Sequence, residues 1–334
     1  MGITVAVTGP TGEIGLAAVA ALENDPTVDR ILGMARRPFD PGERGWTKTE
    51  YRQGDILDRA AVERFVGEAD VVVHLAFLIM GSRADSNRIN LTGTRNVFEA
   101  TVAAARPTRL VYTSSVAAYG YHPDNPTPLT EDVPTRGSRQ HYYSEQKAEL
   151  ETVLAEITDG NGLEVFVLRP CIVAGPNATA LADAMPWRQV ADRLPGVVTK
   201  VVGALPLPRP LFPDPGIPLQ LVHHDDVAAA IDAAVTTDAP PGAYNIAGDG
   251  TVSLSEVATA LGARPVRIPL TVAQATSAAL EWLPAVPAML EWLHTGRTSV
   301  VMETSKAKKN LGWQPRYSSA ETLTALASAR APFR

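Results

Sequence analysis

The pattern that most constrains this chain lies close to its first residue. An apolar run at residues 5–7 is followed by Gly9, Gly12 and Gly15, in the spacing G-x-x-G-x-x-G, and then by an apolar helical pattern at residues 16–22. The start of a helix offers unpaired N–H groups and the positive end of a dipole, which suit a pyrophosphate. A glycine-rich turn by itself often binds nothing, but this order of strand, turn and helix predicts a nucleotide site.

The three glycines have different expected tasks. We expect Gly9 to turn the chain where a side chain would clash, and Gly12 to let the backbone approach a ligand closely. We expect Gly15 to let the helix pack on the strand. Each expectation depends on the lack of a Cβ atom, and therefore on what surrounds that position in the fold.

Strand and helix patterns alternate after this turn, which is typical of an α/β protein. Residues 71–76 form a largely apolar run, as expected for a strand in a parallel sheet with both faces covered. The length of 334 residues allows one large domain or two smaller ones, and 45% hydrophobic residues suffice for a sizeable core. Two later segments interrupt the alternation. Residues 186–218 predict irregular, proline-rich chain that closes over a site, and residues 271–294 predict a pair of short helices.

Composition and charge exclude several classes of protein. The net charge is −6 without a long basic block, which disfavours a nucleic-acid surface. No apolar run is long enough to span a bilayer, and the glycine turn begins too early to follow a signal peptide. The single cysteine, Cys171, forms no internal disulfide and is expected to be a small buried side chain, which favours a cytoplasmic location. Residues 223–226, His-His-Asp-Asp, are better explained as a strand end that caps a helix, so no metal is predicted.

The residues after the second predicted strand bear on the choice of cofactor. In dinucleotide folds an acidic residue about 20 positions beyond the glycines accepts from the ribose 2′-hydroxyl, whereas arginine suits a 2′-phosphate. Here Ala35 occupies the position where the acid is expected, and Arg36 and Arg37 follow it. The sequence therefore favours NADP, with NAD as the second choice. The alternative is that both arginines are simply solvated in a loop.

Polar side chains elsewhere in the first half extend the predicted cofactor site. Asp55 is a candidate acceptor for an adenine amino group, and Asp58 is a candidate N-cap for a helix at residues 59–66. Asn90 precedes a long helical pattern and could bond the backbone, bond the cofactor or start the helix. The hydroxyl-rich residues 113–115 end another predicted strand, and ligands bind at the carboxyl ends of strands in open α/β sheets.

A tyrosine and a lysine four residues apart carry the predicted chemistry. Tyr143 and Lys147 share one face of a predicted helix, and a nearby ammonium lowers the pKa of a phenol from about 10 toward neutrality. Ser115, at a strand end, can hydrogen-bond the reacting oxygen, which completes a proton-transfer site beside a hydride carrier. A Tyr–Lys pair alone is usually surface decoration. Tyr142 competes for the role, but the residue four positions after it is Gln146.

With these motifs in this order, the chain resembles the extended short-chain dehydrogenases/reductases, the NAD-dependent epimerase/dehydratase family. The resemblance spans nearly the whole chain, and the set of motifs is specific although each member alone is not. Its pieces lie at residues 8–15, 54–58, 74–76, 90–94, 113–120, 143–147, 168–170, 222–228, 244–248, 304–307 and 311–315.

The resemblance implies a Rossmann-type α/β fold, a doubly wound parallel sheet with a smaller carboxy-terminal substrate domain interleaved in sequence. Residues 1–173 and about 218–247 would form the dinucleotide-binding domain, and about 174–217 and 248–334 the substrate domain. A homodimer, packed through the helices of Asn90 and Tyr143, is also implied, and Ser115, Tyr143 and Lys147 would be catalytic. Motifs and resemblance together predict as cofactor-binding residues Gly9, Thr11, Gly12, Glu13, Ile14, Gly15, Arg36, Arg37, Asp55, Ile56, Leu75, Ala76, Asn90, Thr113, Tyr143, Lys147 and Pro170.

Several positions depart from the sugar-nucleotide enzymes of this family. The dehydratases carry Asp-Glu directly after the strand hydroxyl, where this chain has Val116 and Ala117. Leu219 replaces the arginine that tends to grip a diphosphate, and the loop at residues 77–80 is apolar. A diphosphate left unpaired against such walls would be costly, so an alcohol or carbonyl on an apolar skeleton fits better, as in the steroid- and aryl-aldehyde-reducing branches. Candidate phosphate ligands remain at Arg188, Arg193 and Arg209.

Three functions therefore stay under consideration. The first is an NAD(P)-dependent oxidoreductase that acts on a small, largely apolar alcohol or carbonyl compound. The second is a sugar-nucleotide epimerase, which uses the same residues and keeps its cofactor bound between turnovers. The third is a cofactor-sensing binding protein without chemistry; it ranks last because such relatives usually lack the tyrosine or the lysine, and this chain has both.

Overall fold

A sheet of seven parallel strands forms the centre of the protein. The structure is a computed structural model, and it describes residues 2–79, 83–139, 141–183, 185, 209–269, 271 and 298–329. The spatial order of the strands is β11-β6-β5-β4-β1-β2-β3, which confirms the predicted Rossmann-type fold. The strands are β1 (Ile3–Thr8), β2 (Val28–Ala35), β3 (Thr49–Gln53), β4 (Val71–His74), β5 (Arg109–Thr113), β6 (Glu164–Pro170) and β11 (Gly242–Ile246).

Helices cover both faces of this sheet. Alternate side chains of a strand point to opposite faces, so Val5 and Val7 of β1 join one apolar cluster and Ala6 joins the other. The first cluster includes residues of α1 (Glu13–Asn24) and α7 (His224–Thr236). The second cluster includes residues of α2 (Arg59–Val66), α4 (Thr94–Ala103) and α5 (Tyr142–Thr158). Shorter helices are α3 (Arg83–Ser86), α6 (Ala180–Asp183), α8 (Leu254–Ala260), α9 (Ser305–Asn310) and α10 (Ser319–Ala329), with a π-helical segment at Asn87–Gly93.

Local capping signals fix several helix starts. The Asp58 carboxylate accepts from the Ala61 N–H at 3.0 Å, and Ser253 forms a reciprocal capping box with Glu256. His223 caps α7 by accepting from the Asp225 N–H through Nδ1 at 3.2 Å. The caps predicted at Asp58 and at the strand end of residues 223–226 are confirmed.

Three two-stranded ladders lie outside the main sheet in the part of the chain that is described. They pair β7 (Ile172–Ala174) with β10 (Leu221–His223), β9 (Pro218–Leu219) with β12 (Val252–Ser253), and β8 (Leu211–Asp214) with β13 (Arg264–Arg267). A third apolar cluster joins residues of β10, α8 and α10. The chain leaves the main sheet after β6 and returns to it at β11, while the predicted domain limits stay a prediction.

The carboxyl ends of β1, β4 and β5 meet at one edge of the sheet. Thr8 lies in register with His74, and His74 with Tyr112. The strand order reverses next to β1, which is the point where open α/β sheets bind ligands. The two short helices expected at residues 271–294, and residues 186–208 of the proline-rich segment, fall outside the described residues apart from position 271. Across the described ranges, no helix has the length and apolar character needed to cross a membrane.

Candidate active site

The glycine turn after β1 has the properties of a phosphate-binding turn. Gly9 has φ +76°, and a Cβ there would lie 2.8 Å from the Ala76 backbone nitrogen, so the expectation for Gly9 is confirmed. A Cβ at Gly12 would meet only the Gly9 carbonyl oxygen, at 3.5 Å. The fold therefore tolerates a side chain at Gly12, and the space above it is open to a ligand.

Gly15 allows the start of α1 to lie close to the turn that leaves β1. A Cβ there would overlap the Gly9 carbonyl oxygen and press against Pro10. The close approach expected at Gly15 is therefore observed at the turn, and its packing on the strand stays a prediction.

The first turn of α1 is free to receive an anion. Gly12 is the N-cap residue and makes no side-chain cap hydrogen bond. The Glu13 carboxylate is turned aside, because its Oε1 accepts from the Thr179 N–H at 2.8 Å. Thr11 is half-buried on the turn, and Ile14 packs against the apolar cluster under α1.

Buried polar groups line the carboxyl ends of β1, β4 and β5. The His74 ring bonds the Thr8 hydroxyl through Nδ1 at 2.6 Å and the Thr94 hydroxyl through Nε2 at 2.9 Å. Burial lowers the pKa of His74 to about 3, so the ring is neutral and structural. Leu75 and Ala76 follow it, both half-buried, and the Leu75 N–H donates to the Thr8 carbonyl oxygen at 3.1 Å.

One hydroxyl at this edge has no hydrogen-bond partner among the described residues. It is Thr113 Oγ1, which is buried at the end of β5. An orphaned buried polar atom at the same sheet edge as the open Gly12 and the uncapped helix start fits a polar ligand that lies across the carboxyl ends of β1, β4 and β5. The residues present therefore fit a dinucleotide at this edge.

Tyr143, Ser115 and Lys147 come together beside the same strand ends. Ser115 lies near enough to the Tyr143 phenol to act on its pKa, and Lys147 Nζ lies 5.9 Å from the centre of the Tyr143 ring. Ser115 Oγ also accepts from the Ala117 N–H at 3.2 Å. Lys147 Nζ donates to the Thr113 carbonyl oxygen at 2.9 Å. The phenol, the hydroxyl and the amine predicted from separate segments thus form one cluster.

The electrostatics of this cluster differ from the expectation. Burial raises the pKa of Tyr143, and the nearby Ser115 hydroxyl only partly opposes that rise. Burial also lowers the pKa of Lys147 to about 7, against the opposing effect of the Glu151 carboxylate. The expected lowering of the Tyr143 pKa by Lys147 is absent. Burial disfavours the charged form of both groups, the phenolate of Tyr143 and the ammonium of Lys147.

Asn90 has a structural role that its position in the sequence left open. Its Oδ1 accepts from the Leu78 N–H at 2.7 Å, and its Nδ2 donates to the Leu78 carbonyl oxygen at 2.9 Å. The same Nδ2 also contacts Ser86 and Gln146. Asn90 lies inside the π-helical segment, so the helix-start interpretation was wrong, and its backbone-bonding interpretation is the one observed. The Asn90 amide therefore clasps the loop after β4.

A buried ion pair below the cluster was missed by the sequence analysis. Arg169 donates to both carboxylate oxygens of Glu151, with Nη2–Oε2 at 2.6 Å, and Nη1 donates to Tyr119 Oη at 2.8 Å. Ser114 Oγ donates to Glu151 at 2.5 Å. Glu151 follows Lys147 by one helical turn, and that spacing was the available signal. Pro170 is buried at the end of β6, in register with Ile246.

The remaining predicted cofactor residues lie at the other side of the glycine turn. Arg36 and Arg37 are exposed after β2, and neither forms an ion pair within the described ranges. The Arg36 carbonyl oxygen accepts from Gln53 Nε2 at 2.9 Å, which fixes the backbone there. Asp55 Oδ1 accepts from the Leu57 N–H at 3.0 Å, and Ile56 is buried against Gly93.

The His-His-Asp cluster has the spacing of a metal site, and two of its four ring nitrogens already accept backbone hydrogen bonds. His223, His224 and Asp225 bring one ligand atom each within 4.8 Å of the others. His223 Nδ1 caps α7, and His224 Nε2 accepts from the Asn177 N–H at 3.3 Å. The remaining nitrogen of His224, Nδ1, lies 2.8 Å from the Asp225 carboxylate. These contacts agree with the cap predicted from the sequence.

The positions that depart from sugar-nucleotide enzymes are apolar in the fold as well. Val116 and Ala117 are buried in a short 3-10 helix (Val116–Tyr119), and Leu219 is buried in the third apolar cluster. Arg209 is exposed, whereas Arg188 and Arg193 lie outside the described residues.

Comparison with known proteins finds relatives of one family. The pattern of the NAD dependent epimerase/dehydratase family matches residues 5–247. An uncharacterized protein of Mycobacterium tuberculosis (strain ATCC 25618 / H37Rv) is 26% identical over 328 residues, 95% of this chain and 81% of that protein. Ceramide reductase of Caulobacter vibrioides (strain NA1000 / CB15N) is 36% identical over 115 residues, 34% of this chain and 35% of the reductase.

A solved structure supports the fold. A mutant of UDP-glucuronic acid 4-epimerase from Bacillus cereus, in complex with UDP-4-deoxy-4-fluoro-glucuronic acid and NAD, superposes with a TM-score of 0.72. The two sequences are 17% identical, and the match covers 98% of each chain. At this level of identity, the likeness concerns the fold alone.

Proposed function

Because this chain belongs to the NAD dependent epimerase/dehydratase family, we propose that it is an NAD(P)-dependent oxidoreductase that interconverts an alcohol and a carbonyl group on a largely apolar substrate. The observation that carries the proposal is the position of the Tyr143 phenol in one cluster with Ser115 and the buried Lys147 amine. When bound, the nicotinamide dinucleotide donates or accepts the hydride.

Each residue of the cluster has a task that follows from its surroundings. The raised pKa of Tyr143 keeps its phenol protonated at neutral pH, so it can give a proton to a carbonyl oxygen. Ser115 orients that oxygen by a hydrogen bond. The Lys147 ammonium stabilises the phenolate that remains after the transfer.

The dinucleotide would be held at the edge described above. The open Gly12 and the uncapped start of α1 suit its pyrophosphate, and the unpartnered Thr113 hydroxyl suits one of its polar groups. Arg36 and Arg37 are exposed and unpaired within the described ranges, which supports a preference for the 2′-phosphate of NADP. The solved relative with NAD bound keeps NAD as the second choice.

The apolar character of the substrate rests on the walls of the site. Val116 and Ala117 occupy the positions of the acids that a sugar dehydration would need. Leu219 is buried, and it occupies the position of the arginine that would bind a diphosphate. Phe77 and Leu78 add apolar surface next to Tyr143. The partial match to a ceramide reductase, an enzyme named for a lipid substrate, agrees with this chemistry.

Turnover with a panel of aldehydes and ketones tests the proposal. The purified protein is mixed with NADPH or NADH, and cofactor absorbance is followed. Tyr143→Phe should abolish turnover while cofactor still binds by calorimetry. Tyr142→Phe is the matched control, because the Tyr142 hydroxyl donates to the Ile79 carbonyl oxygen and is not part of the cluster of Ser115, Tyr143 and Lys147. Full activity of Tyr143→Phe would remove the proton-transfer role from this residue.

A sugar-nucleotide epimerase is the second candidate, and the structural relative favours it. That relative acts on a UDP-sugar, and an epimerase would use the same three residues. Cofactor released from protein denatured after gel filtration distinguishes the two. Stoichiometric bound NAD supports the epimerase, and an empty site supports the reductase. A cofactor-sensing binding protein is disfavoured, because both Tyr143 and Lys147 are present in the cluster.

The proposed homodimer depends on helices near the site. Along α5 the exposed side chains include Glu149, Thr152 and Glu156, whereas its apolar residues pack inside the chain. A dimer through this face would therefore be polar. Sedimentation at low and high salt measures both the mass and the contribution of charge, and a monomer at all concentrations would refute the dimer.

A further inference from the structure

The Lys147 amine is almost fully enclosed, and a ring from another loop closes it. Lys147 is 3% exposed, and its Nζ donates to the Thr113 carbonyl oxygen at 2.9 Å and to Tyr112 Oη at 3.3 Å. These bonds engage two of its three N–H groups. The face of the Phe77 ring covers Nζ, with the ring centre only 3.8 Å away. Because an aromatic face carries partial negative charge, this is the geometry of a cation–π contact.

The loop that carries Phe77 is fixed in place. Leu78, the next residue, exchanges both of its backbone hydrogen bonds with the buried Asn90 side chain. The Ile79 carbonyl oxygen accepts from Tyr142 Oη at 2.9 Å. The Phe77 ring also meets the Tyr143 ring edge to face, with centres 5.4 Å apart. One ring therefore contacts both the amine and the phenol of the candidate site.

We propose that Phe77 is a positioning residue of this site: its ring face binds the Lys147 ammonium, stabilises the charge inside a dry pocket and holds it beside Tyr143. The catalytic meaning of this contact rests on the proposed function, but the contact itself does not. A side chain that only excluded water would disfavour the ammonium, whereas an aromatic face offsets part of the lost hydration.

The other groups around the amine leave room for such a contribution. Glu151 favours the ammonium, but its carboxylate is shared with the Arg169 guanidinium. Tyr112 and Tyr143 both have a pKa raised by burial and are neutral at pH 7. His74, whose pKa is about 3, is also neutral. The Phe77 ring face is therefore the contact by which the loop after β4 stabilises the ammonium.

The direct test measures the pKa of Lys147 in the full-length protein. The chain has six lysines, so their ε-carbons, labelled with carbon-13, can be followed individually by NMR during a pH titration. The Lys147 signal is assigned by its loss in Lys147→Met. Phe77 is then replaced by mono-, di- and trifluorinated phenylalanine, which keep its shape and weaken the negative charge of its face stepwise. We expect the Lys147 pKa to fall at each step, by about one unit in total.

A second series distinguishes the effect of the ring face on the Lys147 pKa from the effect of burying the amine under any side chain. Phe77→Leu keeps the amine under an apolar side chain and should lower the Lys147 pKa, whereas Phe77→Tyr should preserve it. Phe39→Leu is the control, because Phe39 contacts the Trp46 and Tyr51 rings and not Lys147. If the Lys147 pKa stays constant through the fluorinated series, or rises in Phe77→Leu, the proposal is overturned. The ring would then only exclude water.

The activity readout is kept apart from the titration. If turnover is found, the fluorinated series should shift its pH profile in parallel with the Lys147 pKa. The NMR titration needs neither substrate nor cofactor, so a failed turnover assay would not affect its result. A shift in the titration without a shift in the pH profile would overturn the positioning role.

Discussion

Asp232→Asn should stabilise the protein above pH 6 and have little effect near pH 4. Asp232, on α7, has one carboxyl oxygen, Oδ1, that is buried and has no hydrogen-bond partner among the described residues. Burial first and the nearby Asp25 carboxylate second raise the pKa of Asp232 to about 6. Asp25 Oδ1 accepts from the Thr27 N–H at 2.7 Å and from the Thr27 hydroxyl at 2.6 Å, which fixes the position of the Asp25 carboxylate.

The magnitude follows from the pKa shift. Raising the pKa from its ordinary 3.8 to about 6 favours the protonated form. The contribution of this group to the free energy of unfolding is fully present below its pKa in the unfolded chain. It is lost as the pH rises through 6, and the loss is at most about 3 kcal/mol. Asp232 is only half-buried, so solvent screening reduces this to roughly 1.5 kcal/mol. An asparagine amide mimics the protonated carboxyl at every pH and should recover that amount at pH 8.

Urea unfolding measures this difference at both pH values. Asp159→Asn, an exposed position at the end of α5, is the matched control and should change stability by less than about 0.5 kcal/mol at either pH. An Asp232→Asn effect that is equal at both pH values would refute the raised pKa of Asp232. Destabilisation at pH 8 would refute it as well.

The site carries three further predictions. Gly15→Ala should lower the melting temperature, because the new Cβ overlaps the turn. Gly12→Ala should fold normally, and calorimetry should show that it binds the dinucleotide more weakly. Equal effects of the two substitutions on stability would contradict the geometry. Asn90→Ala should lower the free energy of unfolding in urea by about 3 kcal/mol, because it leaves both polar groups of the Leu78 backbone unpaired. A loss below about 1 kcal/mol would refute the role of Asn90 in holding this loop. The Lys147 ammonium predominates only below its pKa of about 7, so carbonyl reduction should decline as pH rises through that value, and a constant rate up to about pH 9 would argue against a need for the charge.

Local signals were readable from the sequence, and long-range ones were not. The Asp58 cap needs only a side chain and the next helical turn, so its pattern sufficed. Asn90 was ambiguous because its partners, Leu78 and Gln146, lie far along the chain and meet it only after folding.

The cluster of Ser115, Tyr143 and Lys147 was predictable in membership but not in electrostatics. Helical spacing and strand ends bring the three groups together, and the sequence contains both. The balance between burial and charge depends on the walls, such as Phe77 over Lys147, and no spacing in the sequence reveals it. The rise in the Asp232 pKa was hidden for the same reason, because Asp25 belongs to a distant helix end.

A single residue joins the last inner strand of the main sheet to the small ladder of β7 and β10. Cys171 separates Pro170 from Ile172, and its N–H donates to the Ile246 carbonyl oxygen at 2.9 Å. On the other crossing, the Gly248 N–H donates to the Leu221 carbonyl oxygen at 3.0 Å. Neither crossing has slack to act as a hinge, so the ladder must travel with the sheet as one body.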